Sequence, residues 1–510
     1  MSTLSKAIIG ELIVNISTGN SNYYAFASNP VPTTSTANQS YSDYAINFIS
    51  DWGMLFGKKI ANTDLSSVIT NIPWIPNSVY ASYDNTVDII NSANPAFYVV
   101  TSPLVGGGYN IYKCIDNANN SNSVYMPSLV QQNSFTTQDG YTWKYITTIS
   151  SESYLKFAAQ GFIPIYPNTA ISSTAYKNSG IEKVVIVYGG NGYSVSYNTG
   201  IIQSVANTTL VQIANNANIL DTYSLSSIYI SNNVNTSELK NITSYVSNTT
   251  GNWVYLDTPL NPSNVTTNSK YIISPRVVFT SDAEGTPYAY SVVNTASGNG
   301  SGAISSIVMI DEGYGMTWAN VSIVTNQTSI TPANVYAIVP PAGGHGADPE
   351  IELLVRGFSL SFSFANSQSN TIVTSNANYN VIGILKNPYA INATSFSNSG
   401  ILYTANTFNQ ILQANTLTTA TFTVGGQVTG TTSNALGTVV FSNSSVVYLT
   451  GDKYFANGEY ITDGSNTTQI NIFNRAAVYT KAIKPIYAQN ISNVTRSDTE
   501  TESFKIIIQT

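Results

Sequence analysis

The sequence has one cysteine and one histidine in 510 residues. A lone Cys114 excludes an intrachain disulfide, a CxxC pair and any cysteine-built zinc site, and a lone His345 excludes a histidine metal cluster. Charge is scarce as well: Asp, Glu, Lys and Arg make up 9% of the chain, with 19 basic residues against 26 acidic and a net charge of -7. A nucleic-acid groove or an anionic membrane needs clustered Lys and Arg, so neither is expected as a partner. No stretch approaches the ~18 uninterrupted apolar residues of a transmembrane helix. The N-terminal run MSTLSKAIIGELIVNIS is broken by Gly10 and Glu11 and has no small-residue cleavage site, so no secretory signal is expected.

What remains is apolar, aromatic and amide-rich. Hydrophobic residues reach 43%, aromatics 11%, and Tyr alone numbers 35. That aromatic content with so small a net charge excludes disorder. Polarity supplied by Asn, Ser and Thr favours turns and strands, because these side chains compete with the helix backbone. A chain of this length exceeds one core and predicts roughly three units. Few charges and many tyrosines also suit a permanent assembly surface, since less desolvation and side-chain ordering opposes contact; lineage bias in composition explains the amides equally well.

The most informative stretch is 109–149. Tyr141, Trp143 and Tyr145 share one strand face by the two-residue repeat, and Ile149 continues it. A first strand, 109–115, carries Tyr112, and the turn Asp139-Gly140 precedes the second, which predicts a hairpin with an overlong Asn/Ser loop. Such a loop inside a compact unit is a contact surface or an ordered cover. The candidate protein-interface residues are therefore Tyr141, Trp143 and Tyr145, with Tyr112 and, in the 117–134 loop, Tyr125; core packing is the competing reading, above all for Trp143.

Elsewhere, Tyr41, Tyr44, Ala45, Phe48, Ile49, Trp52, Leu55 and Phe56 fall on one stripe and predict an amphipathic helix near 41–57. Two Gly-Tyr-punctuated stretches, 184–194 and 304–315, read as an internal repeat of a small β module. Residues 421–463 alternate apolar and polar between Gly turns and read as a second one.

Enzyme constellations are poorly served. His345 lies in a Gly-Gly-His-Gly turn that fits a structural role, no serine sits in a G-x-S-x-G elbow, and the glycine groups at 106–108 and 189–192 lack the Lys-Ser/Thr of a phosphate loop. Asp311/Glu312 lie in a turn and Glu350/Glu352 at the spacing of one strand face; paired carboxylates of this kind hydrolyse glycans only when they converge. The 116–117 loop has oxygen ligands without the EF-hand spacing. No catalytic residue, metal ligand or cofactor site is expected.

Several phrases resemble one family. Tyr112-Lys113-Cys114-Ile115-Asp116, then Phe135-Thr136-Thr137 ahead of Asp139-Gly140-Tyr141-Thr142-Trp143-Lys144-Tyr145, are similar to the dimeric baseplate-wedge protein of T-even-like contractile-tailed phages, especially the cyanophage-type versions. Tyr24-Ala25-Phe26, the run from Phe56-Gly57-Lys58-Lys59-Ile60 to Tyr83-Asp84, Pro340-Pro341 through Gly343-Gly344-His345-Gly346 to Leu353, and Val381-Ile382-Gly383-Ile384-Leu385 follow in the family's order. The closing segment around Asp498-Thr499-Glu500 departs from it by lacking a Gln and by extra residues between Pro485 and Arg496.

The resemblance implies a mainly β, multidomain protein: a β-sandwich core with inserted small β-barrel or sandwich modules and a few short helices. Residues 1–175 begin the core, 176–340 are inserted β modules, 341–405 return to the core, 406–470 are a second insertion and 471–510 complete it. It further implies a virion component, a homodimer bridging neighbouring wedge proteins in the tail baseplate, which works by binding without catalysis or cofactor. The alternative is a receptor- or glycan-binding adhesin or tail fibre.

Overall fold

The computed structural model describes residues 21–29, 53–87, 97–101, 107–177, 180–215, 217, 223–232, 236–296, 301–365, 378–481, 485–495 and 501–509. The protein is mainly β and multidomain, 50% strand and 6% helix, and the described helices are short: Ser151–Phe157, Thr169–Ser172 and Pro349–Glu352. Two compact units are each discontinuous in sequence. The first joins Met1–Val68, Leu155–Pro164 and Arg356–Thr510; the second joins Ile69–Tyr154 and Ile165–Val355. Residues 69–154, grouped with the N-terminal core in the sequence reading, thus share a unit with 165–355.

In the first unit a five-stranded antiparallel sheet runs Thr407–Asn409, Met54–Lys59, Tyr23–Ser28, Asn378–Lys386, Tyr487–Thr495. Every residue of Tyr23–Ser28 is buried, because both faces of this sheet are covered. One face packs Tyr23, Ala25, Phe56 and Ile384 against Phe358, Leu360, Phe362, Ile506 and Ile508 of a second sheet, which makes a β-sandwich. The other face gathers Tyr24, Phe26, Val381, Leu385 and Phe408. A strand buried on both sides has no reason to alternate in polarity.

Phe26 stands opposite Gly57 on one neighbour and Gly383 on the other, and Gly57 in turn faces Phe408. The Phe408 ring lies across Gly57 and the Phe26 ring across Gly383, where a Cβ on either glycine would collide with the ring. Large and small residues therefore interlock along one row of the sheet.

The helix expected near 41–57 meets a strand at its C-terminal end. Leu55 and Phe56 belong to Met54–Lys59, paired to Tyr23–Ser28, so pairing overrides their helical spacing there; positions 41–52 lie outside the described residues. Farther along, Leu412–Thr416, Val446–Gly451, Leu436–Ser442, Gln427–Gly430, Tyr460–Thr462 and Thr467–Asn474 close into a six-stranded barrel around Val428, Val447, Leu449, Ile461 and Ile470. Closure leaves no free strand edge.

The second unit holds a ten-stranded sheet system organised by the 12-residue strand Lys270–Ser281, which pairs with Asn198–Ile201 and Ser226–Ser231 at one end and Tyr288–Val293 and Ala319–Val324 at the other. The two stretches read as a repeat do not occupy equivalent places. Lys183–Tyr188 pairs with Asn334–Ile338 and Ile304–Asp311 with Tyr288–Val293, while Ile304 N donates to Gly189 O at 2.7 Å. They are neighbours with different partners. Beside them lies a four-stranded sheet ordered Tyr98–Val100, Tyr109–Asp116, Thr142–Ile149, Phe135–Thr136, whose central pair is the hairpin expected from 109–149.

Candidate functional site

In that hairpin the tyrosine and tryptophan face is core. Tyr112, Tyr141 and Trp143 are wholly buried and Tyr145 nearly so. Tyr141 stacks on Trp143 with centroids 5.4 Å apart and planes at 17°, and Tyr80 and Tyr145 pack edge-on around Trp143 and Tyr112. Their hydroxyls are spoken for within the unit: Tyr141 donates to Ser121 O at 2.6 Å, Tyr145 pairs with Thr148 Oγ1 at 2.6 Å, and Tyr112 accepts from Asn110 Nδ2 at 3.0 Å. Four of the five expected interface residues thus have no area to offer a partner, because the sheet face they share is the one their own chain covers. Tyr125 is 46% exposed.

The 117–134 loop is an ordered cover. Asn117 Nδ2 donates to Tyr80 O at 3.0 Å, and the Asp139 carboxylate accepts from Val124 N at 2.8 Å and Tyr125 N at 3.0 Å. Burial pushes the Asp139 carboxyl up, but these donors and Thr137 outweigh it and hold it below its ordinary value. Ser123 N and O bond to the backbone of Ser78 and Asn77, at 2.8 and 2.7 Å. The exposed side chains of Ile75, Val79, Val124 and Tyr125 come from these stitched segments, with Leu129 and Val130 a few residues on. Neither 65–83 nor 117–138 contains a charged residue, so these segments expose apolar side chains among uncharged polar ones such as Asn77, Asn119 and Ser121.

Behind the hairpin, the other side chains of the strand Tyr109–Asp116 meet something the sequence reading missed. Lys113 is buried and its Nζ lies 2.9 Å from Glu352 Oε1 and 3.4 Å from His345 Nδ1. The same Glu352 Oε1 meets His345 Nδ1 in a short contact, while Glu352 Oε2 accepts from Gly346 N at 2.6 Å. His345 Nε2 faces Glu182 Oε1 at 3.0 Å. The Tyr83 ring caps Lys113 at 3.6 Å and crosses His345 edge-on at 5.2 Å, and its hydroxyl donates to Val339 O. Side-chain exposures of 0–6% close the cluster to water.

Local sequence places each of these groups. Gly343, Gly344 and Gly346 have φ of 82°, 88° and 80°, which L-residues rarely adopt, and a Cβ at Gly346 would meet Ile171 Cγ2 at 2.6 Å. Asp348 caps the next turn by accepting from Glu350 N and Ile351 N, both at 3.1 Å, with Pro349 at the first helical position. Glu350 and Glu352 therefore sit on a helical turn, not on one strand face: Glu350 points outward and Glu352 inward. The Asp-Pro step was the available signal.

Electrostatics follow from the burial. Desolvation lowers the Lys113 ammonium, against the charge of Glu352. For Glu352 and Glu182 desolvation acts upward but is outweighed, by Lys113 and His345 at Glu352 and by His345, Lys144 and Lys113 at Glu182, so both carboxyls lie below their ordinary values. Among the described residues no group of three or more His, Cys, Asp and Glu is arranged to hold a metal ion; in this cluster the Lys113 ammonium fills the place a cation would take. Closed to solvent, the groups can act chemically only on one another.

No protein-family model matches the chain, and no curated protein matches it. Among the described residues no helix is long and apolar enough to cross a membrane.

Proposed function

We propose that the chain is a structural component of a contractile-tail baseplate wedge, bridging neighbouring wedge proteins as a homodimer in the phage virion. It works by binding and does not turn over a substrate. The observation that carries this reading is where the family-like phrases lie. Phe26, Gly57 and Gly383, from three of those phrases, interlock in one sheet row. Tyr83, from the same run as Gly57, meets Lys113, His345 and Glu352, from two further phrases, in one buried cluster. That these phrases fall at packed positions, not on exposed loops, is what supports the reading.

The exposed Ile75, Val79, Val124 and Tyr125, on segments that carry no charge, support the binding role, since apolar area there costs little to desolvate on association. The test is the mass of the purified protein by light scattering at micromolar concentration, with and without glycans. A stable dimer indifferent to glycans is expected. A monomer or trimer that binds glycan overturns the wedge reading in favour of an adhesin or tail fibre.

A further inference from the structure

We propose that Lys113 and Glu352 condense spontaneously into an isopeptide bond, so that the strand Tyr109–Asp116 and the helical turn Pro349–Glu352 become covalently joined. This is independent of the assembly reading.

Four features of the cluster point the same way. The nucleophile and its target are held together, with Lys113 Nζ 2.9 Å from the carboxylate oxygen Oε1 of Glu352. Positioned pairs of this kind react at effective concentrations far beyond those in solution. An acid-base group touches both: His345 Nδ1 is 3.4 Å from Nζ and in contact with Oε1, so one nitrogen can take a proton from the amine and return it to the departing oxygen. Glu182, 3.0 Å from Nε2, is a positioning residue whose negative charge favours a proton on that nitrogen. The Gly346 N–H, 2.6 Å from Oε2, faces the oxygen that becomes negative during attack. Finally, the site is buried and walled by the Tyr83 ring, with Phe97 at 5.7 Å from Nζ, which keeps bulk water from reversing the step.

The balance is that of a simple condensation. The ion pair first becomes a neutral pair by transfer of one proton from Nζ to Oε1. The Nζ lone pair then attacks Cδ and charge collects on Oε2. His345 carries a second proton from nitrogen to Oε1, the Cδ–Oε1 bond breaks, and one water leaves. Ammonium and carboxylate together yield amide and water, with no oxidant, activating group or cofactor. Burial favours the product because it removes two charges from a low-dielectric interior where each was costly to desolvate. The lowering of the Lys113 ammonium by burial works toward this neutral pair and the lowered Glu352 carboxyl works against it, so attack proceeds from the minor, neutral fraction of the pair.

The experiment is intact-mass spectrometry of the denatured full chain, followed by a tryptic digest. The wild type is expected to be lighter than its sequence mass by one water, with trypsin failing at Lys113 and its peptide joined to the one containing Glu352. Lys113→Arg, which keeps a cation that does not acylate, should return the full sequence mass. It should also run more slowly in a denaturing gel, since the bond closes a loop across 239 positions. Glu182→Gln should slow the appearance of the lighter species in freshly synthesised protein sampled over time. Wild-type protein at full sequence mass, or a lost water that the digest places at Asp139-Gly140 or Asp463-Gly464, overturns the proposal whatever the variants do.

Discussion

Replacing Gly57 or Gly383 by alanine tests the interlocked row in the sandwich. At an ordinary strand position the change helps, by about 0.4–1 kcal/mol, because alanine has less freedom to lose. Here the new methyl at Gly57 meets the Phe408 ring and comes within 2.8 Å of Ala25 O. The ring has nowhere to go: Phe408 is 1% exposed, and Tyr24 and Tyr403 flank it with centroids at 5.7 and 6.2 Å. Overpacking of this kind costs about 1–3 kcal/mol, so Gly57→Ala should be net destabilising by roughly 1–2 kcal/mol once the entropic gain is subtracted. Gly383→Ala should lie at the upper end, since its methyl meets a backbone carbonyl, Tyr487 O, as well as the Phe26 ring. For a unit of this size the first variant should lower Tm by roughly 2–8 °C in scanning calorimetry. The double variant Gly57→Ala/Phe408→Leu should lose less than the two single losses added together, because the smaller side chain removes the collision. A Gly57→Ala protein as stable as wild type, or additive losses in the double variant, would refute the account of the row.

Other positions give equally direct outcomes. Trp143→Ala should cost about 3–5 kcal/mol, seen as an earlier denaturant midpoint, because it empties the centre of the Tyr80, Tyr112, Tyr141 and Tyr145 cluster. Tyr125→Ser should change stability by no more than about 0.5 kcal/mol while lowering the associated fraction in light scattering; unchanged association would remove this tyrosine from the contact surface. In the barrel, the buried Glu459 carboxylate accepts from Thr432 N, Ser433 N, Ser433 Oγ and Ala456 N at 2.9, 2.9, 2.8 and 2.6 Å. Burial raises its carboxyl, but the four donors prevail and hold it below its ordinary value. Its contribution is complete above the unfolded carboxyl's titration near pH ~4.3 and fades as pH falls through the lower folded value. Amide exchange in the barrel strands should therefore be steady from neutral pH down to about 5 and accelerate, after correction for intrinsic rates, below it. Glu459→Gln should cost about 1–3 kcal/mol at neutral pH and weaken that acid dependence, and a wild-type barrel indifferent to acid would contradict the assignment.

Legibility in the sequence tracked how local the deciding interactions were. The hairpin of 109–149 could be read because alternating aromatics and an Asp-Gly turn are settled within a few residues. The role of its aromatic face could not, because period two says a face is covered and not by what. Leu55 and Phe56 carried helical spacing but lie in a strand, since their pairing partner, Tyr23–Ser28, sits in another part of the chain. The 184–194 and 304–315 stretches share a wording that serves different neighbours. Lys113 gave one usable hint, a charge inside a strand buried on both faces, which requires a counter-charge without saying that Glu352 supplies it.

The discontinuity of the first unit orders events in time as the chain is made. Asn22 and Asn387, which close one end of the central strand pair, stand 365 positions apart, so Tyr23–Ser28 emerges from the ribosome roughly 20–70 s before its neighbour Asn378–Lys386 at 5–20 residues per second. The strand Gly357–Ala365 waits similarly for Thr501–Gln509. Every residue of the second unit, by contrast, has been translated by position 355. The second unit can therefore finish folding while the first is still a set of unpaired apolar strands, and newly made chains are most exposed to aggregation in that interval.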